Sequence, residues 1–202
     1  MAEPFDPNQD PRQFTCDTIR WTSVGGDMAT AANGTRLARH SVGRPNLDKK
    51  IWPLVSDSRP TTDVSWVFGE MNLGETANEV SLPTQEFEVT GKNNFGTTIF
   101  DIRFRVSIRT AGQPAAAAAT LRRCSIAIVT LAVAWGWHLD FNAEVNDLIE
   151  CGEPGATFEV LPVNLVVRLG SKLKQEQSSH VFLLSGNGAA IEPMPVEGLH
   201  YR

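Results

Sequence analysis

Leu121–Asn142 reads LRRCSIAIVTLAVAWGWHLDFN, and its pattern decides the fold class. From Val129 on, the odd positions hold Val129, Leu131, Val133, Trp135, Trp137, Leu139 and Phe141. The even positions hold Thr130, Ala132, Ala134, Gly136, His138, Asp140 and Asn142. Side chains alternate across a strand, so one face is large and apolar and the other small or polar. On a helix, Trp135 and Trp137 would lie about 200° apart and the alternation would serve nothing. Before Val129, the apolar Cys124, Ile126 and Ile128 sit on the even phase. The phase flips at Ile128–Val129, which predicts a β-bulge or a central segment buried on both faces. The stretch is several times the usual strand length, so a bend or bulge is expected within it. Trp135 and Trp137 share a face and are expected to pack in a core or a subunit interface.

The neighbouring segments extend the same reading. In Thr97–Arg109, Phe100, Ile102, Phe104, Val106 and Ile108 share one face. Asp101, Arg103, Arg105, Ser107 and Arg109 share the other, the mark of a half-buried antiparallel strand. Gln85–Thr90 alternates as well, and GKNNFG (Gly91–Gly96) between the two supplies a turn, so residues 85–109 form a hairpin. Further strands are expected at Phe14–Arg20, Ile51–Val55, Val64–Phe68, Thr157–Leu169 and Val181–Leu184. Pro162 marks a bulge or an edge in the longest of these. The alanine-rich link Ala111–Thr120 carries Gly112 and Pro114 and reads as a loop. After the central strand, Asn142 is a good cap for a short helix, Ala143–Glu150, with Val145, Leu148 and Ile149 on one side and Gly152 as its stop. The total is about eight strands and one short helix. This predicts an all-β protein, an antiparallel β-sandwich of jelly-roll type. Three regions follow: a flexible arm over residues 1–50, the sandwich over 51–185 and a tail over 186–202.

Composition narrows the function classes. A net charge of −5 argues against a protein that coats nucleic acid over its whole surface, yet leaves room for a local basic patch. One exists: Arg36, Arg39, Arg44, Lys49 and Lys50 stand against the single acid Asp48, a local charge of +4. That segment reads either as a solvated loop or as an arm contacting an anion. The cysteines Cys16, Cys124 and Cys151 have no metal-like spacing and predict reduced thiols. The first thirteen residues lack the apolar run of an export signal, and Ser125–Trp137 is too short for a membrane helix. A soluble intracellular protein with no membrane partner and no cofactor is expected.

Two groups of residues invite a chemical reading. Arg103, Arg105 and Arg109 form a row on one strand face, where like charges repel unless something anionic meets them. The anion is either within the chain, with Glu86 and Glu88 across the hairpin as candidates, or a phosphate or acidic partner surface. His138-Leu139-Asp140 places an imidazole and a carboxylate on one side of a strand, about 6–7 Å apart. With a third ligand, His180 or His200, they would make a two-histidine, one-carboxylate metal site. This HxD is similar to that of the 2-oxoglutarate-dependent iron oxygenases, whose core is a jelly roll. The chain departs from that family after His180, where VFLLSGNG holds no arginine for the co-substrate. The bland alternative is a pair on a solvent-facing strand.

The combination of a β-sandwich, polar termini, a local basic stretch and no nucleophile motif resembles the single jelly-roll coat proteins of small RNA viruses, plant viruses in particular. The resemblance is one of architecture and spans roughly Ile51–Leu184. It implies a non-enzymatic structural protein that self-assembles into a shell around RNA and resides in the virion and the host cytoplasm. Arg36, Arg39, Arg44, Lys49, Lys50, Arg103, Arg105 and Arg109 would then make sequence-independent phosphate contacts. Residues 1–34 are net acidic, a departure from the strongly basic arms of many such proteins. A viral movement protein and a monomeric β-sandwich binding module are the alternatives; the module would display an exposed groove or aromatic patch.

Overall fold

The computed structural model describes residues 16, 18–24, 40–41, 50–61, 64–67, 79–111, 118–153, 156–172, 174–186 and 190–191. Fourteen strands and no helix occur among them. They are β1 (Thr18–Val24), β2 (His40–Ser41), β3 (Ile51–Ser56), β4 (Arg59–Pro60), β5 (Val64–Val67), β6 (Glu79–Ser81) and β7 (Gln85–Lys92). They continue with β8 (Thr98–Ala111), β9 (Ala118–Val133), β10 (His138–Val145), β11 (Ile149–Glu153), β12 (Ala156–Gly170), β13 (Gln175–Ser185) and β14 (Ala190–Ile191). No helix among the described residues is long and apolar enough to cross a membrane.

Two antiparallel sheets result. Sheet A runs β1-β7-β8-β9, with β6 beside the far end of β8 and β5 on the other edge of β9. Sheet B runs β4-β3-β10-β12-β13-β14, with β11 between β12 and β2. A short parallel ladder, Thr157↔Ala118 and Phe158↔Ala119, joins the sheets at one corner. The chain is therefore an all-β sandwich. In sheet A, β5 lies beside β9, the last strand of the meander β7-β8-β9, which is Greek-key order. Sheet B places β10, β12 and β13 side by side with β3 next to β10.

The core follows from the alternation. Phe87 and Phe104 of sheet A meet Phe182 of sheet B at ring separations of 4.8 and 5.9 Å, and Phe104 also meets Phe141 at 5.5 Å. Trp52 and Trp66 close a second region edge to face at 5.6 Å. Aromatic pairs in these offset and tilted geometries add to plain apolar burial.

The central stretch is divided twice. Register slips between Arg103↔Thr130 and Phe104↔Ile128, so Val129 is the extra residue of a β-bulge at the expected phase flip. The turn Ala134–Trp137, with Gly136 at φ +84°, then carries the chain from sheet A to sheet B. Trp137 is buried as expected, but Trp135 lies in that turn and is 61% exposed.

Other expectations are corrected. The helix at Ala143–Glu150 is absent: β10 continues through Val145, with Leu139, Phe141, Ala143 and Val145 buried on one face, and β11 begins at Ile149. Pairing with β12 on one side and β3 on the other holds this segment extended, overriding a local capping signal. The strand count exceeds eight because short strands flank the long ones. Within residues 1–50, read as an arm, β1 pairs with β7 from Glu86 to Lys92, and its Trp21 packs on Phe141 and Phe182.

The two glycines of GKNNFG serve different ends. Gly96 takes φ +78° in the turn. A Cβ on Gly91 would lie 2.2 Å from Phe100 Cε1 and 2.8 Å from Cys16 Sγ, so close packing demands glycine there. Pro162 falls where the pairing of β12 passes from β11 to β10, and its carbonyl accepts a hydrogen bond from Asn146 N at 2.9 Å.

Candidate functional site

The arginine row is neutralised within the chain. Register sets Glu86 opposite Arg105 and Glu88 opposite Arg103 across the β7–β8 hairpin. Arg105 Nη2 and Nε both donate to Glu86 Oε1, at 2.6 and 3.0 Å. Arg103 Nη2 lies 3.9 Å from Glu88, and Arg109 Nη1 lies 3.5 Å from Glu79 of β6. The intramolecular reading of the row is therefore what the geometry supplies. Each pair is partly exposed and contributes little stability, about 0–1 kcal/mol.

The rest of this outer face carries mostly small side chains. Cross-strand register places Ser65, Ser107 and Ser125 side by side, with Ala127, Thr130 and Ala132 further along β9. Val67 and Val129 are each 41% exposed. Arg123 stands directly opposite Arg109, and its Nε is buried with no hydrogen-bond partner.

Of the basic stretch, Lys50 is exposed, and its carbonyl accepts a hydrogen bond from Val145 N at 2.8 Å. Arg36, Arg39, Arg44 and Lys49 lie outside the described residues, as does His200.

His138 and Asp140 share the outer side of β10, as the alternation required, but their partner is a turn that sequence reasoning did not single out. Asp57 and Ser58 join β3 to β4 with φ of 49° and 57°, a two-residue turn in the left-handed region. That conformation costs about 1–2 kcal/mol per non-glycine residue. Four contacts hold it. Asp57 N donates to Asp140 Oδ1 at 2.9 Å, and His138 Nδ1 lies 3.0 Å from Asp57 Oδ1. Ser58 N donates to Leu139 O at 2.8 Å, and Leu139 N donates to Ser58 Oγ at 2.9 Å. The turn thus satisfies the backbone of β10 just beyond the point where β3 pairs with it.

An aspartate on a histidine is half of a catalytic triad, but the pattern differs here. His138 and Asp57 are 76% and 75% exposed, whereas the orienting carboxylate of such a set is buried. The pair is a surface clasp.

The metal alternative with His180 as third ligand fails on placement. His180 shares its phase with Phe182 and Leu184 and turns inward, stacked on Trp21 at 5.4 Å and 20°. His138 and Asp140 face outward. Among the described residues no group of three or more His, Cys, Asp or Glu side chains is placed to hold a metal. Cys124 is buried in the core, where desolvation pushes its thiol far above the ordinary value and keeps it protonated.

Two further features were not legible in advance. A cleft of about 400 Å³ opens at the end of sheet B, lined by His138, Asp140, Arg168, Gln175 and Gln177 among others. At the corner where the sheets join, Glu159 Oε2 accepts a hydrogen bond from Leu121 N at 2.7 Å. Burial raises the pKa of Glu159, against the opposing pull of that hydrogen bond and of Arg122; Glu150, opposite it in register, raises it further.

The chain matches no protein family, no curated protein and no solved structure.

Proposed function

We propose that this chain is a structural coat protein that assembles with copies of itself into a shell around RNA, in the virion and the host cytoplasm. The observation that supports this reading best is the outer face of sheet A. Three of its cations, Arg103, Arg105 and Arg109, are paired with Glu88, Glu86 and Glu79, and Ser, Ala and Thr side chains lie beside them. A face of small side chains and paired charges, bearing exposed Val67 and Val129, suits contact with another protein surface. Because Arg103, Arg105 and Arg109 are engaged, phosphate contact falls to Arg36, Arg39, Arg44, Lys49 and Lys50. Each phosphate neutralised by such a stretch releases counterions, so RNA retention should fall steeply with salt.

The test is purification without nuclease followed by size-exclusion chromatography with light scattering and absorbance at 260 and 280 nm. A large particle rich in nucleic acid is expected. A monomer or small oligomer free of nucleic acid would overturn the reading. It would favour the binding-module alternative, which draws on the cleft beside His138 and the exposed Trp135.

A further inference from the structure

The cleft at the end of sheet B plays no part in the assembly reading, and hydrogen-bonding side chains line it in register. Its volume of about 400 Å³ lies in the range of small-ligand sites. Asp140, Arg168 and Gln177 are neighbours in register across β10, β12 and β13. Arg168 Nε donates to Gln177 Oε1 at 3.1 Å. The next row is His138, Gly170 and Gln175. Two adjacent rows therefore present planar side chains that both donate and accept hydrogen bonds.

Asp140 stands beside Arg168, Glu176 is bridged to Lys174, and Asp57 adds a carboxylate beside His138. That excess of carboxylates disfavours an anionic ligand, whereas a neutral molecule rich in hydroxyl groups meets both donors and acceptors.

Aromatic surface completes the description. Trp135 is 61% exposed, in the turn that leads into His138. Phe95 is 58% exposed on the β7–β8 turn at the same end, and Ala134 N ties the two turn regions together by donating to Ile99 O at 2.7 Å. Asn93 Oδ1 holds the backbone of the Phe95 turn by accepting hydrogen bonds from Phe95 N at 3.0 Å and Thr97 N at 2.9 Å. An aromatic ring with an exposed face offers large apolar contact at little cost in conformational entropy. The C–H face of a pyranose ring is such a partner, and its hydroxyl groups suit the polar rows.

We propose that this end of the sandwich is a binding site for a neutral carbohydrate, with Asp140, Arg168 and Gln177 of the cleft as hydrogen-bonding residues and Trp135, in the turn outside the cleft lining, as a stacking platform for a sugar that extends beyond it. The cleft accommodates about one or two hexose rings. The inference stands on the cleft alone and does not require that the chain assemble.

Gly170 makes the test clean. A Cβ there would meet only Gln175 Cγ and His138 O, both at 4.0 Å, so a side chain can be added at this cleft position without a clash at its first atom. The full chain is applied to a glycan array carrying neutral hexose oligosaccharides beside sialylated and sulfated ones, and the strongest neutral glycan is titrated calorimetrically. Binding to neutral glycans is expected, with affinity lowered at least about tenfold in Gly170→Leu and in Trp135→Ala, a change of about 1.4 kcal/mol. Thr130→Trp, on the outer face of sheet A, is expected to bind as the wild type does, so a failure of assembly and a failure of sugar binding are read separately. Circular dichroism confirms that each variant is folded. No binding to the array, binding confined to the charged glycans, or affinity unchanged in a folded Gly170→Leu would each overturn the proposal.

Discussion

The outer face of sheet A and the outer end of sheet B arise from the same alternation, yet they dispose of charge in opposite ways. On sheet A, strands β7 and β8 run side by side in register, and Arg103, Arg105 and Arg109 each find a carboxylate on a neighbouring strand. The product is a surface of ion pairs and small side chains, with Arg123 beside Arg109. On sheet B, β3 and β10 part company near Phe141, a left-handed turn fills the gap, and the ends of β10, β12 and β13 leave polar groups around a depression. Long register makes a contact face; interrupted register makes a site.

The comparison can be broken at the layer both regions share. Phe104 is fully buried between the sheets, touching Phe87, Phe141 and Phe182. Phe104→Ala is expected to cost about 3–5 kcal/mol, measured by chemical denaturation, and to disable the face and the cleft together. Loss of one with retention of the other would mean that the two regions do not rest on one core.

The sheet B end can be loosened alone. Asp140→Ala removes the acceptor for Asp57 N and leaves a left-handed turn less well held, a loss of about 1 kcal/mol. Asp140→Asn keeps an oxygen there and should lose less. Equal losses in the two variants would show that the carboxylate charge, and not the hydrogen bond, holds the turn.

The corner joining the sheets adds a pH dependence. Burial raises the folded-state pKa of Glu159 above its ordinary value, so folding disfavours the ionised form. The sign follows: its contribution to stability is fully present below the ordinary carboxylate range and is lost as pH rises through the raised value. Glu159→Gln can still accept from Leu121 N and should flatten that part of the profile. Thermal melts from about pH 4.5 to 7 check this, and a variant with the wild-type slope would assign the dependence elsewhere.

The smallest effect is expected on the sheet A ladder itself. A double-mutant cycle on Arg105→Ala and Glu86→Ala should give a coupling of about 0.2–1 kcal/mol that shrinks with added salt, as for an exposed ion pair. A coupling well above that range would mean that the ladder is structural and not simply a neutral surface.

Much of this was legible in particular residues. The two apolar phases on either side of Val129 announced the bulge, and the arginine row with Glu86 and Glu88 announced the ladder. The Ala143–Glu150 segment misled because Val145, Leu148 and Ile149 satisfy helical spacing while Ala143 and Val145 also extend the strand period; strand partners from elsewhere in the chain decided the matter. Trp135 carried its own warning in the adjacent Gly136, whose positive φ turns the chain before Trp137 enters the core. His180 shares its phase with Phe182 and Leu184, a signal that it turns inward and away from His138. The role of Asp57 had no local signal, since it depends on a turn meeting a strand some eighty residues away.

The measurement that bears most directly on the central claim is velocity sedimentation of the wild-type chain beside Thr130→Trp, which sets a bulky ring on the outer face of sheet A. The account predicts a large assembly for the wild type and a folded, slowly sedimenting species for the variant. Two identical sedimentation profiles, whether both large or both small, would contradict the assignment of that face as the contact between subunits.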